Sequence, residues 1–392
     1  MDDSRQTLAV DCLYNTVMEE ILPRLQVKSL IRFKSVCKDW LFTISKGSFA
    51  KSQIKLCIPS HQIIVLTTSP IESIKQLNSF YLLNRDDEPS DHLKQLMNLD
   101  DDDFHNNVLD LLIVGTCKGL VCLYFRGKCG FCRIWNPATN QYRDIVNPDD
   151  HQGWGVQSHG FGYVSSTDDY KIVSWSTSIK DSIKRLYVFS LKAGNWKSVS
   201  SLFKMRMPDG IEKSVLVDES VFWIVRKGEF WCNVQHILCF DLGTEKFKEI
   251  PWMDSMNARY DTTIKLSAIN GYLSFICPCR SITKDVDVWM LKQSGNCDSM
   301  EKLFSLSLSR GMSLITIFEN GKCLVRYENN KVKVNLVNII DPIHGALEQI
   351  QSSIEFPEIV KMACDYVGSL ISPFGEDEVN NEEVMHKYKK AK

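Results

Sequence analysis

The chain has almost no net charge: 46 Lys and Arg stand against 48 Asp and Glu in 392 residues, leaving −2 at neutral pH. A balance this even gives no footing to a partner chosen by bulk charge, such as nucleic acid. No uninterrupted apolar run approaches the roughly 18 residues that a membrane helix needs. The opening MDDSRQTLAV lacks a cationic segment followed by an apolar run, so nothing in it directs the chain to an oxidising compartment. The fourteen cysteines are therefore read as reduced thiols, and the expected location is cytoplasmic or nuclear. G-x-S-x-G, Walker and dinucleotide fingerprints are all missing, and GFGY at 160 signals a tight turn more than a phosphate cradle.

Metal chemistry is also thinly represented. The eight histidines, at 61, 92, 105, 151, 159, 236, 344 and 386, include no pair at ligand spacing. Cys117, Cys122, Cys129 and Cys132 fall within sixteen residues, the last two as CGFC, which raises a zinc or redox site. The spacing argues against it. Odd separation along a strand-like run sends Cys117 and Cys122 to opposite faces, whereas tetrahedral ligation needs convergence. A thioredoxin-like motif needs a helix after CGFC, and RIWNP follows instead. Small buried hydrophobes are the preferred reading, with no metal and no cofactor.

What is present falls into two unlike parts. Apolar residues make up 44% of the sequence, enough for a large core, and the length implies two or three domains or one repetitive one. From Leu13 to about Leu56 the spacing is helical. Leu13, Val17, Ile21 and Leu25 recur at i, i+4, with Thr16 and Glu19 as a possible capping box. Ser29 is a plausible cap for a second stripe of Leu30, Phe33, Val36, Cys37 and Trp40, and Gly47-Ser48 restart a third helix. Three helices in about 45 residues cannot bury all their apolar faces among themselves, so some of that surface awaits a partner. Lys28, Arg32, Lys34 and Lys38 line one side of the second helix, where a solvated face is preferred to phosphate contact.

After Ile63 the texture is short runs rich in Val, Ile, Tyr and Trp, such as IIVLTT, LLIVGT and LVCLYF, broken by Gly, Asn and Asp. These are strands. RIWNPATNQYRDI at 133, LYVFSLKAGNWKSV at 186, ILCFDLGTEKFKEI at 237 and VDVWMLKQSGN at 286 echo one another. Their anchors Trp135, Phe189, Phe240 and Trp289 are about fifty residues apart, the period of kelch-sized propeller blades. YLLNRD at 81 and LVNIIDPIHG at 336 look like degraded copies, giving about six units, with DYVGSLISP from Asp365 free to close the ring beside the first. A large β-sandwich is the competing fold. DDEPSD at 86, LDDDDF at 99 and the tail after Gly375 read as solvated segments.

IL.RL.VKSL.RFK.VCK.W, from Ile21 to Trp40, resembles the F-box of plant F-box proteins. GTCKGLVCL at 115, IWNPATNQY at 134, HGFGYVSSTDDYKIV at 159 and YVGSLISP at 366 are similar to the F-box-associated, kelch-like domain of the same family. The resemblance implies an α+β multidomain chain: a small three-helix F-box at 9–56, an all-β, kelch-like β-propeller of about six blades at 57–374, and a charged tail at 375–392. It further implies a non-catalytic substrate receptor of a Skp/cullin/F-box ubiquitin ligase. The F-box would bind a Skp-type adaptor, and through it a cullin scaffold, while the propeller holds an unidentified target protein; neither nucleic acid nor membrane is involved.

On this reading the adaptor contacts come from Leu13, Ile21, Leu22, Leu25, Val27, Leu30, Phe33, Val36 and Trp40, some of which must be internal core instead. Target contacts come from propeller loops carrying Trp154, Arg226, Trp231, Arg259 and Tyr260. The chain departs from the family pattern in two places, having Leu13-Tyr14 for Leu-Pro and Gln26 where RLPVKSL has proline, with Pro23 three residues earlier. The loss costs about a kcal/mol or less of pre-organisation. Two alternatives follow: an adaptor-independent propeller scaffold with a degenerate F-box, and a free-standing propeller enzyme capped by the helices.

Overall fold

Helical spacing in the N-terminal segment produces short helices. A computed structural model describes residues 16–68, 78–84, 94–99, 108–127, 130–148, 158–177, 184–199, 213–227, 234–251, 264–279, 284–293, 299–308, 311–328, 335–340 and 354–375. Val17–Ile21 form a π-helical turn that runs into a 3-10 turn at Leu22–Arg24, with Pro23 near its start. Three α-helices follow, Val27–Phe33, Lys38–Ile44 and Gly47–Leu56. The expected caps are not used. Thr16 already has helical backbone angles and makes no side-chain cap bond, so the Thr16–Glu19 box does not form. Ser29 lies inside the second segment, whose cap position is the extended Gln26. The stripe from Leu30 to Trp40 is divided between two helices. Ser35 Oγ donates to the Arg32 carbonyl at 2.7 Å, and Cys37 is extended at φ −156°; such local side-chain bonds compete with helix continuation. Phe33 and Trp40 then meet edge-on at 5.4 Å across the break and tie the two helices together.

The remaining described chain is mostly β-propeller. It comprises six four-stranded sheets, and every pairing within them is antiparallel. The innermost strands are Ile359–Val367, Val108–Cys117, Ser158–Val164, Val215–Val217, Lys265–Ile269 and Met312–Ile317, each touching the next round a closed ring. All six sequence echoes begin on the third strand of their sheets, counted outward. There the repeated aromatic meets a bulky partner on the fourth strand: Phe189 faces Trp196 at 5.2 Å and Phe240 faces Phe247 at 4.8 Å. Directly opposed aromatic pairs of this kind stabilise an antiparallel ladder.

Ring closure is made by the C-terminal strand. Ile359–Val367 pairs with His61–Thr68, so the first sheet is assembled from both ends of the propeller sequence. Glu358 pins the joint by accepting hydrogen bonds from Thr67, Ser79 and Tyr81 at 2.8–3.3 Å. Lys361 is hydrogen-bonded to Asp110 and to the Leu111 carbonyl of the neighbouring sheet, and Asp365 accepts the Glu319 N–H from the sheet on the other side. Only the first three residues of DYVGSLISP are strand; GSLISP leaves the sheet and passes under the helices.

That strap joins the two parts of the molecule. The helical core of Met18, Leu22, Val27, Leu30, Ile44, Phe49 and Ala50 also contains Leu370, with Ala138 and Ile371 packed against it. Part of the apolar surface that sequence reasoning left open for a partner is therefore covered by the chain's own propeller.

Candidate functional site

Two surfaces of the described residues merit a functional reading, and the first lies on the helices. Of the adaptor residues expected from sequence, Leu22, Val27 and Leu30 are core, at 2%, 8% and 0% exposure. They are corrected to packing residues, because the short helices close on one another and on Leu370. Leu25, Phe33 and Trp40 are half-buried, and Ile21 and Val36 stand exposed at 48% and 60%. Leu13 lies outside the described residues. Sequence reasoning missed Ile31 and Phe42, exposed at 37% and 66%. They sit off the i, i+3, i+4 stripe, and a search for the buried face passes over them.

The expected cationic row is partly solvated. Lys28, Arg32 and Lys38 are exposed, whereas Lys34 is half-buried and burial lowers its pKa. The target-contact residues Trp154, Trp231, Arg259 and Tyr260 lie outside the described residues. Arg226 belongs to the strand Ser220–Lys227, paired with Gln235.

The second surface is the helix–propeller junction, where all four propeller motifs converge. Lys118-Gly119, both at positive φ (45° and 81°), turn the chain from Val108–Cys117 into Leu120–Gly127, the left-handed geometry of a primed hairpin turn. A Cβ on Gly119 would lie 2.1 Å from Ser369 Oγ, so glycine is what lets the strap pass. The buried Asn136 of IWNPATNQY donates to the carbonyls of Ser369 and Ile371 at 3.0 and 2.7 Å, and its Oδ1 accepts from the N–H groups of Ala138 and Thr139. Its Nδ2 thus holds the strap, while its Oδ1 fixes the turn that carries it.

From the third motif, Tyr163 donates to Asp168 Oδ1 at 2.5 Å and Asp168 also pairs with Lys51 of the Gly47–Leu56 helix. The Lys51 ammonium and the Tyr163 hydroxyl hold the Asp168 carboxyl below its ordinary pKa, while burial and the Asp168 bond push the Tyr163 phenol up to about 12. Lys118 Nζ sits 3.5 Å over the Tyr163 ring.

Between these groups is a cleft of about 620 Å³, lined from the helices by Lys51, Ile54 and Lys55, from the propeller by Lys118, Arg143 and Lys192, and from the strap by Leu370, Ile371, Ser372, Phe374 and Gly375. Its cations come from separated segments without a common motif, which is why sequence reasoning did not collect them.

The cysteine cluster resolves differently. Cys117 and Cys122 flank the Lys118-Gly119 turn on adjacent strands, with Cys117 opposite Leu120 and Gly115 opposite Cys122, so the opposite-face argument does not apply. Cys132 and Cys122 are both fully buried. A hydrogen bond from Cys122, with His159 Nδ1 at 3.9 Å, holds the Cys132 thiol low, and burial pushes Cys122 up. An acidified thiol that solvent does not reach lacks the exposure that reactive cysteines have. Cys129 lies outside the described residues. Among the described residues no group of three or more His, Cys, Asp or Glu is placed to hold a metal, and no helix is long and apolar enough to cross a membrane.

Comparison with known proteins gives a consistent picture. The model of the F-box associated beta propeller domain matches residues 62–373. The chain is 29% identical over 357 residues to an F-box/kelch-repeat protein of Arabidopsis thaliana, covering 84% of this chain and 92% of that one. It is 24% identical over 346 residues to the F-box protein CPR1 of the same plant, covering 81% and 80% respectively. Among solved structures it is similar to the SapL1 lectin at a TM-score of 0.41 and 8% identity, over 76% of this chain and 96% of that one.

Proposed function

Because the chain belongs to the family of plant F-box proteins with an F-box associated beta propeller domain, we propose that it is a non-catalytic substrate receptor of a Skp/cullin/F-box ubiquitin ligase. One end is fixed to the ligase by a Skp-type adaptor, and the propeller holds a target protein for ubiquitination and degradation in the cytoplasm or nucleus. Catalysis by proximity suffices for this role. Tethering raises the effective concentration of target lysines near the charged conjugating enzyme without any reacting group on the receptor.

The observation that carries the reading is the uneven placement of exposed apolar residues. Ile21, Ile31, Val36 and Phe42 stand in solvent on the helical unit, away from the core that it closes with Leu370 of the strap, and exposed apolar side chains gathered on one small unit suit a partner surface. The F-box in this reading spans 9–56, with Leu25, Phe33 and Trp40 at the edge of the contact, and the target is met by Trp154, Trp231, Arg259 and Tyr260 together with Arg226, which the fold places near the end of a strand and not on a loop. Gln26 in extended backbone supplies the turn before Val27, where the family pattern uses proline.

Co-expression with a plant Skp-type adaptor, followed by size-exclusion chromatography with mass determination, tests this. A one-to-one complex is expected, lost in the I21D/V36D/F42D variant while the thermal melt of the isolated chain is unchanged. A well-behaved monomer that ignores the adaptor would remove the reading and advance the adaptor-independent scaffold.

A further inference from the structure

The junction cleft has an excess of cationic groups that its fold does not use. Five cationic side chains, Lys51, Lys55, Lys118, Arg143 and Lys192, line it against two carboxylates, Asp168 and Asp169. Both carboxylates are already engaged. Asp168 takes Lys51 and the Tyr163 hydroxyl, and Asp169 accepts from Ser190 Oγ at 2.6 Å and the Lys192 N–H at 2.9 Å. Among the described residues neither Lys55 nor Arg143 has a hydrogen bond or ion pair from its side chain, and Lys118 Nζ rests on an aromatic face. Lys55 and Lys118 are exposed and Arg143 is half-buried, so an anion entering the cleft meets ammonium and guanidinium groups that are accessible to pair with it.

The cleft is not only charged. Ile54, Leu191, Leu370 and Phe374 supply an apolar wall, and its volume of about 620 Å³ falls within the roughly 300–1,000 Å³ of small-molecule sites. We propose that the cleft binds a small organic anion, an apolar body carrying a carboxylate or phosphate group, which bridges the Gly47–Leu56 helix to the propeller. Lys55 approaches the acidic group from the helix, and Lys118 and Arg143 approach it from the propeller. Lys118 pairs as a point charge, while Arg143 offers a planar fork that suits either oxyanion. A ligand held from both sides is bound only when the two parts are docked, so binding stabilises that docking by linkage. This inference does not rest on the ligase reading; it concerns the opposite side of the helices' work, their attachment to the propeller.

The test uses phenyl phosphate, benzoate and the neutral benzyl alcohol as probes on the full chain, read by titration calorimetry and by thermal shift. Saturable binding of at least one acid, with a rise in melting temperature and none for the alcohol, is expected, and whichever acid binds tighter identifies the head group. The K55Q/R143Q variant removes two side chains that make no hydrogen bond or ion pair among the described residues, so its melt without ligand should be unchanged while affinity falls about tenfold or more. K118Q provides a second variant on the same wall. K246Q/K248Q makes the same charge change on exposed residues outside the cleft and should leave affinity unchanged. Absence of binding by both acids, equal binding of the alcohol, or equal weakening in the distant variant would each overturn the proposal. Adaptor co-purification in the same variants keeps the two readings separate, because cleft variants are expected to retain it.

Discussion

Between Ile21 and Ile58 six large apolar side chains stand exposed, Ile21, Ile31, Val36, Phe42, Leu56 and Ile58, whereas in the described propeller only Tyr142, Val146 and Tyr272 do so. The difference follows from how each part closes. In the propeller every sheet is sandwiched between two others and the C-terminal strand completes the first, so the sheet faces are covered and the edges that remain are short. The helical unit has too little chain to do this. Its core borrows Leu370 and Ile371 from the strap, and the residues facing away remain in water. One part is thus self-sufficient and the other is doubly dependent, on the strap behind it and on whatever covers its outer face.

The substitution that should break this comparison most severely is Leu30→Ala. Leu30 is fully buried at the centre of the helical core, and truncating such a residue costs about 2–5 kcal/mol. Hydrogen exchange should show the helices losing protection while the strands of the six sheets retain theirs. Collapse of both together would mean that the propeller also depends on the helices.

Gly119→Ala attacks the dependence from the propeller side. The added methyl requires both a left-handed alanine and displacement of Ser369, whose Oγ and Cβ lie 2.1 and 2.4 Å from its position. A loss of about 2–4 kcal/mol is expected, partly restored by Ser369→Gly, and exchange should rise first at residues 368–371 and in the helices. Asn136→Ala is milder, at about 1–3 kcal/mol, since it leaves the Ser369 and Ile371 carbonyls without their donors. Its exchange pattern should match that of Gly119→Ala at lower amplitude, and a pattern spread evenly over the sheets would show that Asn136 serves the propeller more than the strap.

How much of this was legible in the sequence depends on the range of the contact. The propeller repeat was legible because each echo is a local strand, turn and strand whose aromatic partner sits a few residues away, as with Phe189 and Trp196. Ring closure from the C-terminus was legible too, since an unpaired last strand has one evident place to go, although its range, Ile359–Val367, begins well before Asp365. The junction was not. Asn136 reaches Ser369 across 233 positions, and Lys51 reaches Asp168 across 117, with no periodicity to announce either. The helical residues were found as a set but not sorted, because a stripe of spacing i, i+4 does not say whether Val36 faces a core or water when the helix breaks at Ser35. Parity failed at Cys117 and Cys122 for a related reason, since counting along one strand ignores a turn placed between them.

The smallest expected effect concerns the Lys51–Asp168 ion pair, which joins helix to propeller. Asp168 has a folded pKa below its ordinary value because Lys51 and the Tyr163 hydroxyl favour its charged form. A carboxylate of this kind contributes stability that is fully present above its unfolded pKa of about 4, and that contribution is lost as pH falls through the depressed folded value. The docking of the helices should therefore weaken as pH falls below about 4, along with the propeller turn whose Asp241 and Glu245 carboxyls are likewise held low. Its magnitude is modest, because the Lys51 and Asp168 side chains are 35% and 38% exposed and water screens a pair so placed. Asp168→Asn should be slightly less stable than the parent near neutral pH, with the two curves converging below about pH 4. If exchange in the Gly47–Leu56 helix rises equally in both proteins between pH 6 and 3, the acid-sensitive contact lies elsewhere, and Lys51 is then better placed among the cations that serve the cleft than among those that hold the helices down.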